Sequence, residues 1–126
     1  MLIDCKISLG ELVDKISILR IKKKFLDGTE KLMYVDKENL TLTRILNDLK
    51  LDGIDSFLNE LIEVNTKLWK IEDDIREKER NGEFDQDFIK FARSVYITND
   101  ERFRIKNRIN ESYGSDLREV KSYKKY

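Results

Sequence analysis

Polar side chains recur in this sequence where a helix should place its core. From Ile54, the three- and four-residue steps that mark one helical face run through Leu58, Leu61, Asn65, Leu68, Glu72, Ile75 and Glu79, so Asn65 and Glu72 fall among leucines. From Phe88 the same steps give Ala92, Val95, Asn99 and Arg102. With their neighbours Asp73, Arg76, Arg93 and Asp100 they make up the candidate binding set: Asn65, Glu72, Asp73, Arg76, Arg93, Asn99, Asp100 and Arg102. An unpaired buried polar group costs about 1 to 3 kcal/mol. Such residues therefore either satisfy one another in a network that fixes helix register, or line a wet pocket between helices.

Two chemistries suit a pocket of this kind. Clustered carboxylates on facing helices can hold Mg²⁺, which takes oxygen ligands and keeps waters. All-helical nucleotide pyrophosphatases do this with an E-E-x-x-E block, which Glu60-Leu-Ile-Glu63 and Glu72-Asp73-Asp74 only partly imitate. Alternatively, Lys15, Arg20 and Lys22 with Arg93, Arg102 and Lys106 could converge on a carboxylate or phosphate. That arrangement would be similar in logic to the helical chorismate mutases, where charge placement stabilises a transition state. No catalytic residue is assigned, and no metal ligand or cofactor is expected.

Composition narrows the options. The chain has 126 residues and no histidine, which removes His-based triads, His general bases and His metal sites. Its single cysteine, Cys5, removes internal disulfides and reads as a small core-facing residue. Lys plus Arg and Asp plus Glu number 25 each, and this neutrality argues against nucleic-acid binding driven by bulk charge. The charge is unevenly spread: residues 71–87 are mostly acidic and residues 90–108 mostly basic, as if two antiparallel helices satisfied each other. No run of about 18 apolar residues exists to span a membrane. The N-terminus has neither the basic nor the apolar region of an export signal, so the expected setting is a reducing cytoplasm.

The elements that must position these residues are helices. Ser8-Leu9-Gly10-Glu11 has the form of a capping box, with Ser8 accepting from the amide three residues on and Glu11 reaching back. A first helix follows and should end at Asp27-Gly28; a second spans about Glu30 to Lys50. Leu51-Asp52-Gly53 is a turn, and a long third helix closes near Asn81-Gly82. Asp85 can cap a fourth, with Phe84 stapled onto Ile89, that runs to Gly114. Thr98-Asn99-Asp100-Glu101 repeats a capping pattern, which allows a kink or a restart there; a continuous but strained helix is the expectation. The expected fold is all-α, an antiparallel four-helix bundle in a single domain over residues 1–126, with a short extended N-terminal arm and a polar C-terminal tail.

Three blocks carry a resemblance: Gly10-Glu-Leu-Val-Asp-Lys-Ile-Ser-Ile-Leu, Leu68-Trp-Lys-Ile-Glu-Asp-Asp-Ile-Arg-Glu-Lys-Glu and Phe88-Ile-Lys-Phe-Ala-Arg-Ser-Val-Tyr-Ile-Thr-Asn-Asp-Glu-Arg. They resemble the motifs of an uncharacterised family of small bacterial and phage proteins, over nearly the whole chain. The resemblance supplies no mechanism. It marks Glu11, Asp14, Lys15, Lys22, Trp69, Tyr96, Lys106 and Asn110 beside the eight candidates. Trp69 and Tyr96 read as core edges. The leading functional expectation is a non-catalytic cytoplasmic interaction or accessory protein that can form a homo-oligomer. The alternative is a small-molecule or anion-binding enzyme, Mg-dependent in one version, whose polar inter-helix pocket takes a small anionic ligand.

Overall fold

The computed structural model describes residues 1–126 as four helices and no strand: α1 (Leu9–Phe25), α2 (Thr29–Asp48), α3 (Ile54–Arg80) and α4 (Gln86–Ser112). Each start has a local cause. Ser8 Oγ accepts the Glu11 amide at 3.1 Å to open α1, and Asp85 Oδ1 accepts the Phe88 amide at 3.0 Å to open α4. The capping box at Ser8 is only half formed, because the Glu11 carboxylate turns away to a lysine on α4. α1 ends before the Asp27-Gly28 pair: Leu26 is extended, and Gly28, at φ +105, serves as the N-cap of α2. α4 runs through Thr98 unbroken, with that side chain buried, so no restart occurs there. Phe84 meets Phe88 edge to face, at 5.1 Å between ring centroids, instead of stapling onto Ile89.

The bundle is organised around α1. Backbones of α3 and α4 pair along their length, α1 packs on both, and α2 packs on α1 alone. Leu12, Val13, Ile16, Leu46, Ile54, Leu58, Leu61, Val64 and Ile109 form the buried cluster at the meeting point. A helix enclosed on several sides has few free positions left for solvent, which explains why Asp14 and Ser17 are buried on α1 along with its aliphatics.

Length differences then decide which candidates are covered. At about 1.5 Å per residue, the 27-residue helices α3 and α4 are roughly 40 Å long, and the 17-residue α1 only about 26 Å. Phe25 stacks on Trp69 at the end of α1, with centroids 5.8 Å apart. Beyond that point the α3–α4 hairpin has no third helix over it. Accordingly, the buried residues of α3 stop at Asn65 and those of α4 begin at Thr98. Glu72, expected inward by periodicity, is only half-buried for this reason.

The arm, residues 1–7, is exposed, and Cys5 with it; the expectation that Cys5 faces the core is wrong because the arm precedes the first helix and packs beneath none. After α4, Gly114 turns the chain at φ +66 and the tail doubles back over α4. Ser115 ties this corner to α1, its Oγ accepting the Leu9 amide at 3.3 Å. No helix is long and apolar enough to cross a membrane.

Candidate functional site

The polar centre of the molecule is built on Asp14, whose side chain is essentially inaccessible. A carboxylate at this depth is tolerated only if paired and hydrogen-bonded. Arg102, reaching in from α4, provides a forked contact: its Nε donates to Asp14 Oδ1 at 2.9 Å and its Nη2 to Oδ2. Asn65 on α3 donates through Nδ2 to the same Oδ1 at 2.9 Å and to Ser17 Oγ at 2.8 Å. The Ser17 hydroxyl in turn donates to the Asp14 carbonyl at 2.6 Å. Three helices are thus joined at one carboxylate. The hydrogen bond from Arg102 to Asp14 raises the guanidinium pKa above its ordinary value, outweighing the burial that opposes it.

One turn away, a second charged group sits between α1, α4 and the tail. Lys106 is almost fully buried, and its Nζ lies 2.8 Å from Glu11 Oε2 and 2.7 Å from Glu119 Oε2. Burial works against its charged form, but Glu11 and Glu119 more than compensate and its pKa is raised. For Glu119, burial works toward the neutral acid, yet Lys106 and Lys121 prevail and hold the carboxyl below its ordinary range. Next to this pair α1 and α4 touch: the Gly10 amide donates to Asn110 Oδ1 at 2.7 Å, and a Cβ on Gly10 would stand 2.6 Å from the Lys106 carbonyl oxygen. Asn110 Nδ2 is buried with no acceptor.

The eight sequence candidates do not form one site. Asn65 and Arg102 belong to the Asp14 network and also border a groove of about 420 Å³, along which Trp69, Glu72, Asp73 and Arg76 continue on α3. Glu72 and Arg76 pair at 3.4 Å on the surface. Asp100 faces away, into a separate cleft between α4 and the tail, and Asn99 borders both that cleft and a small cavity beside Arg102 and Lys106. Arg93 is exposed and borders neither. Of the two expected aromatic core edges, Trp69 is half-buried, while Tyr96 is exposed in the cleft.

Other pairings also differ from expectation. The basic run of α4 does not neutralise the acidic run of α3: Arg102 and Lys106 turn to α1, while Arg76, Arg80 and Lys78 pair with acids close to them in the chain. The six cations proposed to converge on an anion do not converge. Arg102 and Lys106 are taken by carboxylates, Arg20 reaches Asn39, and Lys15 borders a cleft beside the arm. No group of three or more Asp, Glu or Cys side chains gathers as a metal ion would require.

Periodicity missed the carboxylate at the centre. Gly10, Asp14, Ser17 and Ile21 follow the same four, three, four spacing on α1 that exposed Asn65 on α3, so the signal was present. Lys106 extends the Asn99 and Arg102 steps by four in the same way. Glu119 lies outside any periodic segment and no pattern marks it.

The chain belongs to a family of unknown function, DUF6165, whose sequence pattern matches residues 3–126. No curated protein and no solved structure matches it.

Proposed function

We propose that this chain, as a member of a family of unknown function, acts by binding and not by catalysis: an accessory protein of the cytoplasm whose inner polar residues hold its helices in register. The observation that carries this reading is the saturation of Asp14. An acid, a base and an amide meet in the middle of the bundle, and each is consumed by the others. A general acid or base must be able to reach a substrate proton; Asp14 has no free face from which to do so. An exposed, unpaired Cys5 suits a reducing compartment.

A second reading rests on the groove that gathers five of the eight sequence candidates, Asn65, Glu72, Asp73, Arg76 and Arg102, under Trp69. Its volume of about 420 Å³ lies within the usual range for small-molecule sites. In this reading Arg76 and the outer edge of Arg102 hold a small anion and Glu72 or Asp73 acts on it, with Mg²⁺ as a permitted addition.

A thermal-shift screen with Mg²⁺, inorganic phosphate, sugar phosphates and aromatic acids separates the two. Saturation at a hundred times the dissociation constant adds about 2.7 kcal/mol to stability. The accessory reading expects no shift that Glu72→Gln or Arg76→Met removes. A shift abolished by either substitution in a folded protein, or any turnover that depends on Glu72 or Asp73, overturns it in favour of the groove.

A further inference from the structure

The cleft between α4 and the tail has an aromatic and cationic lining that neither the Asp14 network nor the groove uses. It encloses about 810 Å³ and is bordered by Tyr96, Phe103, Tyr123 and Tyr126, by Arg104, Lys121, Lys124 and Lys125, and by Asn99 and Asp100. Four cations therefore face one carboxylate in a protein whose charges otherwise balance. Arg104, Lys124 and Lys125 form no ion pair within the structure, whereas Lys121 is held by Glu119 at 3.1 Å. Unpaired cations beside one another repel, so their clustering along a concave wall costs free energy that an anion would recover.

The rings are arranged to accept something flat. Tyr96 and Tyr126 meet edge to face at 5.2 Å and both stay exposed at the cleft, so the contact between them does not cover both faces of either ring. The Lys121 ammonium stands 5.7 Å from the ring centres of both Phe103 and Tyr123, bridging an α4 ring to a tail ring. The tail is anchored where it enters the cleft. Glu119 binds Lys106 and Lys121, and Ser115 Oγ donates to the Leu117 carbonyl at 2.8 Å.

We propose that this cleft binds a nucleoside phosphate, the base stacked on the tyrosines and the phosphates held by Arg104, Lys124 and Lys125. Lysines are point-charge binders that suit phosphate, and base stacking on an aromatic side chain is sequence-tolerant, needing only a π face. The zero net charge of the whole chain and the confinement of the unpaired cations to one cleft favour a mononucleotide over a polymer, whose binding would draw on many phosphate contacts spread over a surface. The site is independent of the reading given to the polar centre.

Isothermal titration of the full chain with ADP, adenosine and pyrophosphate tests this, at two salt concentrations. ADP should bind, adenosine and pyrophosphate should each bind at least about ten-fold more weakly, and added salt should weaken ADP. Lys124→Ala with Lys125→Ala, and separately Tyr96→Leu, should each weaken ADP by about ten-fold, since one base stack contributes about 1 to 3 kcal/mol. Thermal midpoints of both variants measured without ligand should match the parent, because the substituted residues are exposed. Failure of ADP to bind, equal binding of pyrophosphate, tighter binding of an oligonucleotide, or variants that bind ADP unchanged would each overturn the proposal.

Discussion

Replacing Asp14 by Asn is the sharpest test of the central network, because it removes charge without removing volume. The Arg102 guanidinium would lose its charged partner and one of its two acceptors, since asparagine keeps a single side-chain oxygen, and its side chain is only 27% exposed. Removing one partner of a fully buried ion pair costs about 3 to 5 kcal/mol. Arg102 keeps some contact with water, which sets the expectation near the lower end, about 3 kcal/mol. Asn65 must then share the one remaining acceptor with Arg102 but keeps Ser17, adding at most about 1 kcal/mol. A loss of about 3 to 4 kcal/mol in a chain of this length lowers Tm by roughly 10 to 15 °C. The assay is thermal and urea unfolding of five proteins: the parent, Asp14→Asn, Arg102→Met, these two combined, and Asp14→Leu with Arg102→Met. Since a buried ion pair is often replaceable by apolar groups at little cost, Asp14→Leu combined with Arg102→Met should recover most of the loss. A single-variant loss below about 1 kcal/mol, or additive losses with no coupling in the double variant, would refute the claim that these residues fix the helices against one another.

Gly10→Ala should destabilise by about 1 to 3 kcal/mol, since its Cβ meets the Lys106 backbone oxygen at 2.6 Å and forces α1 from α4; the gain in helix propensity of at most about 1 kcal/mol is smaller. Urea midpoints check it. The tail should come free on acidification. Glu119 has a folded pKa below its ordinary 4.5, so its contribution is fully present above that value and is lost as pH falls through the folded one. Hydrogen exchange over residues 115–126 should rise below about pH 4.5, and Glu119→Gln should show the raised exchange at neutral pH. Lys106 behaves oppositely: its pKa is raised above 10.5, so its contribution is complete below that value and fades only at higher pH. Glu72→Gln should change stability by less than about 0.5 kcal/mol, because its pair with Arg76 is exposed; a larger loss by urea unfolding would place Glu72 in the core.

What could be read from the residues was local. The caps at Ser8 and Asp85, the glycine turns and the helical steps through Leu58, Leu61 and Asn65 each depend on a few neighbouring positions, and they placed all four helices to within a few residues. Asn65 and Arg102 were correctly marked as polar residues facing inward for the same reason. The partner they share, Asp14, does not stand out in the same way, because nothing local shows how many neighbours enclose α1. It is a central helix, and on a central helix polar residues at core spacing are the ones most in need of a partner.

The grouping of the eight candidates depended on something no single helix encodes, the relative lengths of its neighbours. Glu72 continues the face of Asn65 faithfully, two turns on, but α1 has ended by Phe25 and there is nothing left to face. Asp100 sits two residues before Arg102 and yet looks the other way, because two steps along a helix turn by about 200°, while Asn99, three residues before, stays beside Arg102 and borders the tail as well. Their environment is made by the tail, whose course is set by one glycine and one buried ion pair that crosses it to α4. A tail without periodicity gives a sequence no handle on where it will lie. In this molecule it supplies three of the four cations, and two of the four rings, in the most basic cleft, so the region least legible in the sequence is the one that a ligand would read first.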